Sequence, residues 1–178
     1  MTNMPEREVF ATAHVPARQR AAQNIALAEV QNPLLRKGIA LWERQRAARR
    51  LPGRDDMSPR VLAGLLRNTV LVRVQGDDFQ FRIVGDAIVA AQGASFQGKT
   101  TAEIDATLPG YGRMLHRIYR DVRDAATPQA YRGWFERGAD GRAFFHETVV
   151  LPLGSDGENV DHLLVLAVYA YTCDQVLR

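Results

Sequence analysis

A chain of 178 residues, 46% of them hydrophobic, can bury a core of its own, and this composition excludes wholesale disorder. The single cysteine, Cys173, excludes an internal disulfide and predicts a reducing, cytoplasmic environment, and the short apolar runs exclude a membrane span. The net charge of +3 is uneven, because residues 1–60 hold eleven Lys and Arg against six Asp and Glu. These charges are spread out rather than clustered, which favours a solvated helical surface over a nucleic-acid partner.

The N-terminal third is predicted to be a frayed tail, residues 1–15, followed by a helical extension, residues 16–53. Pro16 begins a helix that runs to Val30, and Asn32-Pro33 separates it from a second helix that ends near Arg50. Each helix carries one apolar stripe that needs a surface to cover it. We therefore expect the extension to pack outside the domain core and to form a homodimer. The stripes are Ala21, Ile25 and Ala28 in the first helix, and Leu35, Ile39 and Trp42 in the second.

The rest of the chain, residues 54–178, is predicted to be a single α+β domain. Its order is a short helix after Ser58-Pro59, two strands, helices, and then three strands joined by hairpin-sized turns. A five-stranded antiparallel sheet with helices on one face would bury these elements. The strands are expected at 69–75, 78–84, 130–137, 142–152 and 160–171, and the helices at 87–91 and 111–126, with a turn at 101–106 between them.

One stretch, Asp78 to Lys99, organises this domain. Its strand alternates apolar and polar residues until Gly85 ends the pattern, and a short helix follows as far as Gly93. The stretch and the segments flanking it contain several short patterns in a fixed order. These are Leu41-Trp42-Glu43-Arg44, Arg49-Arg50-Leu51-Pro52, Phe81-Arg82-Ile83-Val84-Gly85, Ile88-Val89, Gly93, Phe96-Gln97-Gly98-Lys99 and Leu151-Pro152-Leu153.

In this order, over roughly residues 34–170, the patterns resemble the bacterial stand-alone PAS-domain family. The resemblance implies the five-stranded sheet, and it implies a sensory domain that signals through protein partners. It does not name the signal. One departure from the family is Leu66-Arg67-Asn68, which stands where a Leu-Pro pair often precedes the first strand.

Catalytic and cofactor motifs are missing from the sequence. The chain has only three serines and no phosphate loop, and His146-Glu147 lacks a second histidine at metal-binding spacing. Flavin photochemistry in one PAS branch needs a cysteine in a helix beside the pocket, and Cys173 is in the wrong element. Haem-binding PAS domains commonly use a helical histidine, but His116 is predicted to point away from the apolar face of its helix. We therefore expect no enzyme activity, no cofactor and no metal.

A ligand pocket is the functional prediction. Side chains from the strands and helices are expected to converge between the sheet and the helices, although ordinary core packing would explain the same aromatic residues. An apolar lining with a few polar groups suits a small, partly apolar molecule that is bound without being transformed. The predicted ligand-binding residues are Phe81, Ile88, Met114, Trp134, His146 and Tyr169.

Two other functions stay open at this point. In the first, the fold is a small enzyme with a cavity in which Glu147 or Glu136 acts as general base, and a raised pKa would favour it. In the second, the basic N-terminal region binds nucleic acid, and association would then weaken steeply with salt.

Overall fold

The computed structural model describes residues 22–136 and 142–178. The strands are β1 (Gln23–Ile25), β2 (Thr69–Gln75), β3 (Asp78–Val84), β4 (Gln129–Glu136), β5 (Ala143–Leu153) and β6 (His162–Ala170). The helices are α1 (Pro33–Arg46), α2 (Asp86–Gln92), α3 (Thr101–Thr107), α4 (Tyr111–Ala125) and α5 (Cys173–Leu177), with short 3-10 helices at Leu27–Glu29, Asp55–Met57 and Ala63–Asn68. The predicted tail 1–15, the start of the predicted first helix and the turn 138–141 lie outside the described residues.

The strands form one antiparallel sheet in the order β1-β4-β5-β6-β2-β3. The α+β, PAS-like fold is confirmed, and the five predicted strands are β2 to β6. The sheet has six strands rather than five, because residues 23–25 pair with residues 130–132 of β4. The helix predicted over 16–30 is therefore wrong at this segment. A weakly apolar helix is marginal alone, whereas a short strand gains hydrogen bonds from an open sheet edge.

Both faces of the sheet are covered. We call the face packed against α2, α3 and α4 the front face, and the opposite face the back face. Side chains of α2, α3 and α4 share one apolar cluster with the front face, as the prediction of helices on one side requires. Helix α1 shares a second cluster with the back face. The sheet lies between the two clusters, with Val160 packed against both of them, and we assign each ligand or partner surface to one face.

Helix α1 is part of the core and does not pack outside it. Leu35 and Trp42, from the predicted stripe, are buried against the back face, and Trp42 Nε1 donates a hydrogen bond of 2.8 Å to the carbonyl of Pro152. The expected packing outside the core is therefore wrong for this helix. The stripe needs no second chain to cover it, because the sheet of the same chain already does so.

Close packing of α4 on α3 depends on Gly112, at the start of α4. A Cβ at this position would lie 2.2 Å from the carbonyl oxygen of Thr101 and 2.3 Å from the backbone nitrogen of Asp105. Real Cβ atoms are not found so close to backbone atoms, so only glycine allows this approach. The contact fixes where α4 lies over the front face, and α4 supplies one wall of the site described next.

Candidate functional site

A cavity of about 70 Å³ lies between the front face of the sheet and helices α2 and α4. Its walls are mainly apolar and aromatic. Pockets that hold drug-sized ligands span roughly 300–1,000 Å³, so this cavity suits a much smaller molecule. The lining consists of Ala22, Val70, Phe81, Ile88, Gln92, Tyr111, Met114, Leu115, Tyr119, Tyr131, His146, Thr148, Val150, Val165, Ala167 and Tyr169.

Five of the six predicted ligand-binding residues line this cavity. Phe81 reaches it from β3 and Ile88 from α2, whereas Met114 comes from α4. His146 and Tyr169 are cross-strand partners in β5 and β6, and their rings are tilted at 32° with centroids 5.6 Å apart. The structure thus brings these five side chains together, and ligand binding by them stays a prediction.

Trp134, the sixth predicted residue, does not line the cavity. It pairs across strands with Phe145, and the two rings meet edge to face with centroids 5.4 Å apart. Side chains alternate between the two faces along a strand, so Trp134 shares the back face with Ala130 of the α1 cluster. The front-face position of the same strand is Tyr131, which lines the cavity. The assignment of Trp134 to the pocket is therefore wrong, because its side chain lies on the opposite face of the sheet.

The ionisable groups around the cavity are uncharged at neutral pH. Burial lowers the pKa of His146 to about 4, although the nearby Glu147 carboxylate opposes that shift. Burial also raises the pKa of Tyr111, Tyr119 and Tyr169 above the ordinary tyrosine value. His146 Nδ1 lies 2.9 Å from Thr148 Oγ1, so the imidazole is held by a neutral hydroxyl. The part of the cavity lining that the structure describes therefore offers dipoles to a ligand and no formal charge.

Gln92 is the polar cavity residue that the sequence reasoning missed. Its Nε2 donates a 3.0 Å hydrogen bond to the Tyr111 hydroxyl, while its Oε1 is buried and accepts no hydrogen bond within the described part of the chain. Residues four apart share a face of a helix, and Gln92 follows the predicted Ile88 by four. That spacing was visible in the sequence and could have identified it.

Glu147 lies on the back face, away from the cavity. It is fully buried, and its Oε1 accepts hydrogen bonds of 2.5 and 3.1 Å from the Arg132 guanidinium. Its Oε2 accepts backbone N–H groups of Gln31, at 3.1 Å, and Asn32, at 2.8 Å. We call these four residues the Glu147 cluster. A carboxylate held by four donors on the wrong face of the sheet cannot be a general base in the cavity.

The Glu147 cluster joins three parts of the chain. The Asn32 side chain accepts the N–H of Leu34 at the start of α1, and its Nδ2 donates to the carbonyl of Val176 in α5, at 2.5 Å. The Arg132 guanidinium also donates to the carbonyl of Glu29, at 2.7 Å. The segment before α1, the sheet and the C-terminal helix are therefore tied together directly behind His146 and Thr148, which line the cavity.

The remaining candidates lie elsewhere. Glu136 is exposed at the end of β4 and is not a cavity residue, so the glutamate-base alternative loses both of its candidates. His116 lies outside the cavity, where it is half-buried, packs edge to face against Phe79 and lies 3.2 Å from Thr101 Oγ1. Cys173 belongs to α5 and is not in the lining. Within residues 22–136 and 142–178, no cluster of His, Cys, Asp and Glu could hold a metal ion, and no helix could cross a bilayer.

Comparison with known proteins identifies the fold. A family model described as a PAS domain matches residues 30–167. Among solved structures, the chain is similar to that of an RNA-binding light-oxygen-voltage receptor, with 15% identity and a TM-score of 0.47. That likeness covers 64% of this chain and 33% of the receptor chain, so this chain spans about a third of it. No curated protein matches the chain.

Proposed function

The chain belongs to the PAS-domain family, and from this premise we propose that it is a sensory domain that binds a small, partly apolar molecule without transforming it. The ligand occupies the cavity between the front face and helices α2 and α4. The observation that carries this proposal is the cavity itself, where Phe81, Ile88, Met114, His146 and Tyr169 converge. Within the described residues, no carboxylate and no cysteine belongs to its lining, which supports binding over catalysis.

The size of the cavity limits its occupant. One water needs roughly 10–15 Å³ of such space, so about 70 Å³ accommodates on the order of five water-sized groups. A flavin or a haem is far larger than this. The proposed ligand is therefore a small organic molecule.

We propose that the domain signals to a protein partner through the back face. His146 and Thr148 line the cavity, while Glu147 between them holds the segment before α1 and, through Asn32, the helix α5. A ligand that displaces β5 therefore acts directly on the Glu147 cluster. We place this signalling in the cytoplasm, in line with the single cysteine.

A cavity-filling variant tests the proposal. Ile88→Trp adds bulk to a fully enclosed side chain that lines the cavity. We would screen uncharged molecules of up to about five non-hydrogen atoms against the native chain by thermal unfolding. At ten times its Kd a true ligand stabilises the fold by about 1.4 kcal/mol, which raises the Tm by about 3–5 °C for a domain of this size.

The variant should lose this ligand-dependent shift while keeping a native circular dichroism spectrum. Ala94→Trp is the matched control, because Ala94 is exposed just beyond α2 and should leave the shift unchanged. An equal shift in the native chain and in Ile88→Trp would show that the ligand binds elsewhere.

A further inference from the structure

The buried amide of Gln92 gives the cavity a chemical preference. Gln92 lies at the last position of α2, and its side chain lines the cavity. The Nε2 end donates to the Tyr111 hydroxyl at 3.0 Å, and the Gln92 side chain also hydrogen-bonds Tyr169. The Oε1 end is buried and lacks a hydrogen-bond donor among the residues that the structure describes. Leaving a buried carbonyl oxygen unpaired is unfavourable, so a ligand that donates a hydrogen bond to it gains affinity.

The surroundings of this oxygen exclude charged ligands. Among the residues that the structure describes, the cavity lining contains no Lys, Arg, Asp or Glu to pair with an ion. Its histidine is kept neutral by burial, and its buried tyrosines keep their protons. An ion taken from water into such a site would lose its hydration without gaining a partner.

We infer that the ligand is an uncharged molecule of about five non-hydrogen atoms that pairs an O–H or N–H donor with Gln92 Oε1 and buries an apolar remainder against Phe81 and Ile88. This inference rests on the proposed function and adds its ligand class: small alcohols and primary or secondary amides. Gln92 is the residue that determines this specificity. Molecules of the same size that only accept hydrogen bonds are discriminated against.

Two isomers test this directly. Butan-1-ol and diethyl ether have the same atoms, but only the alcohol has a donor. We would titrate each into the full chain and follow the methyl resonances of Ile88 and Met114, which line the cavity. The alcohol should bind up to about tenfold more tightly, because tenfold corresponds to about 1.4 kcal/mol, the upper end for one neutral hydrogen bond. Butylammonium and butyrate should leave these resonances unchanged.

The variant Gln92→Leu should remove the preference for the alcohol and bind both isomers alike. Gln92→Met serves as a second variant that also lacks the amide, should the first fail to fold. Gln97→Leu changes an exposed glutamine outside the cavity and should keep the preference.

The outcomes separate the two claims. Equal binding of the isomers to the native chain, or tighter binding of the ether, overturns the donor inference but leaves a ligand-binding cavity. A preference for the alcohol that survives in both Gln92 variants also overturns it. If neither isomer shifts the native resonances, and no other uncharged probe does, the proposed function itself fails.

Discussion

His146 is the cavity residue whose protonation is most perturbed by folding at mildly acidic pH. Burial lowers its pKa from 6.5 to about 4 in the folded chain. Between these values the unfolded chain binds a proton that the folded chain excludes. Stability is therefore lost as the pH falls from about 6.5 to about 4, and the loss levels off below that range.

We predict that this single group lowers the free energy of unfolding by up to about 3 kcal/mol across that interval. Urea unfolding at several pH values would measure it, with His146→Gln as the comparison. The variant lacks the titrating ring but keeps His116 and His162, so subtracting the two profiles isolates His146. Parallel profiles for the two proteins would contradict the assignment.

Residue-level prediction from the sequence succeeded where only one face of an element is apolar. The position of Phe81 at the cavity could be predicted because it alternates with the polar Gln80 and Arg82 along its strand. The prediction was wrong in β4, where aromatic or apolar residues occupy both faces, so the alternation does not show which face a given side chain occupies. The aromatic character that Trp134 and Tyr131 share does not show which face of the sheet each side chain occupies.

At the scale of elements, the Glu147 cluster holds the segment before α1 and α5 to the back face. We predict that Glu147→Gln destabilises the fold by about 3 kcal/mol, since removing one partner leaves a largely buried guanidinium uncompensated. Because the Arg132 side chain is 22% exposed, we expect a loss of stability at the low end of the range for buried pairs. Chemical denaturation would measure it.

Two controls accompany this measurement. The double variant Glu147→Leu with Arg132→Met removes both charges and should recover part of the loss. Arg67→Gln breaks an ion pair with Asp86 whose side chains are 77% and 71% exposed, so it should change stability by no more than about 0.5 kcal/mol. Equal effects of Glu147→Gln and Arg67→Gln would show that the cluster stabilises nothing.

Gly112 is predicted to set the position of α4 over the cavity. Gly112→Ala places a Cβ 2.2 Å from a backbone oxygen of α3, and the forced shift should cost about 2–3 kcal/mol. Gly64→Ala is the matched control, since a Cβ there approaches only the flexible end of Lys37, at 3.9 Å. Thermal unfolding of both variants would check it, and a neutral Gly112→Ala would show that α4 is free to adjust.

Elements with their own turn chemistry could be predicted from the sequence, and elements that depend on a neighbour could not. Strands β2 to β6 carry apolar runs bounded by turns, and all five were found. Strand β1 has only three residues and no apolar pattern, because its stability comes from pairing with β4. The prediction that α1 packs outside the core was wrong for the same reason, because the sequence of a helix does not show which surface covers its apolar stripe.

At the scale of the whole molecule, the homodimer through the N-terminal helices stays a prediction. The apolar stripe of α1 no longer supports it, because the sheet of the same chain already covers that stripe. Deleting residues 1–21 leaves the Gln31 and Asn32 contacts to Glu147 intact. Light scattering should give a dimer for the full chain and a monomer for the truncated one. The same mass per particle in both would place any dimer interface elsewhere.

Cavity occupancy is the central claim, and native mass spectrometry of the freshly purified full chain tests it most directly. The account predicts a small uncharged adduct on the native protein, released on mild activation, and its absence from the folded Ile88→Trp variant. The bare chain mass for the native protein, or the same adduct retained by Ile88→Trp, would contradict it.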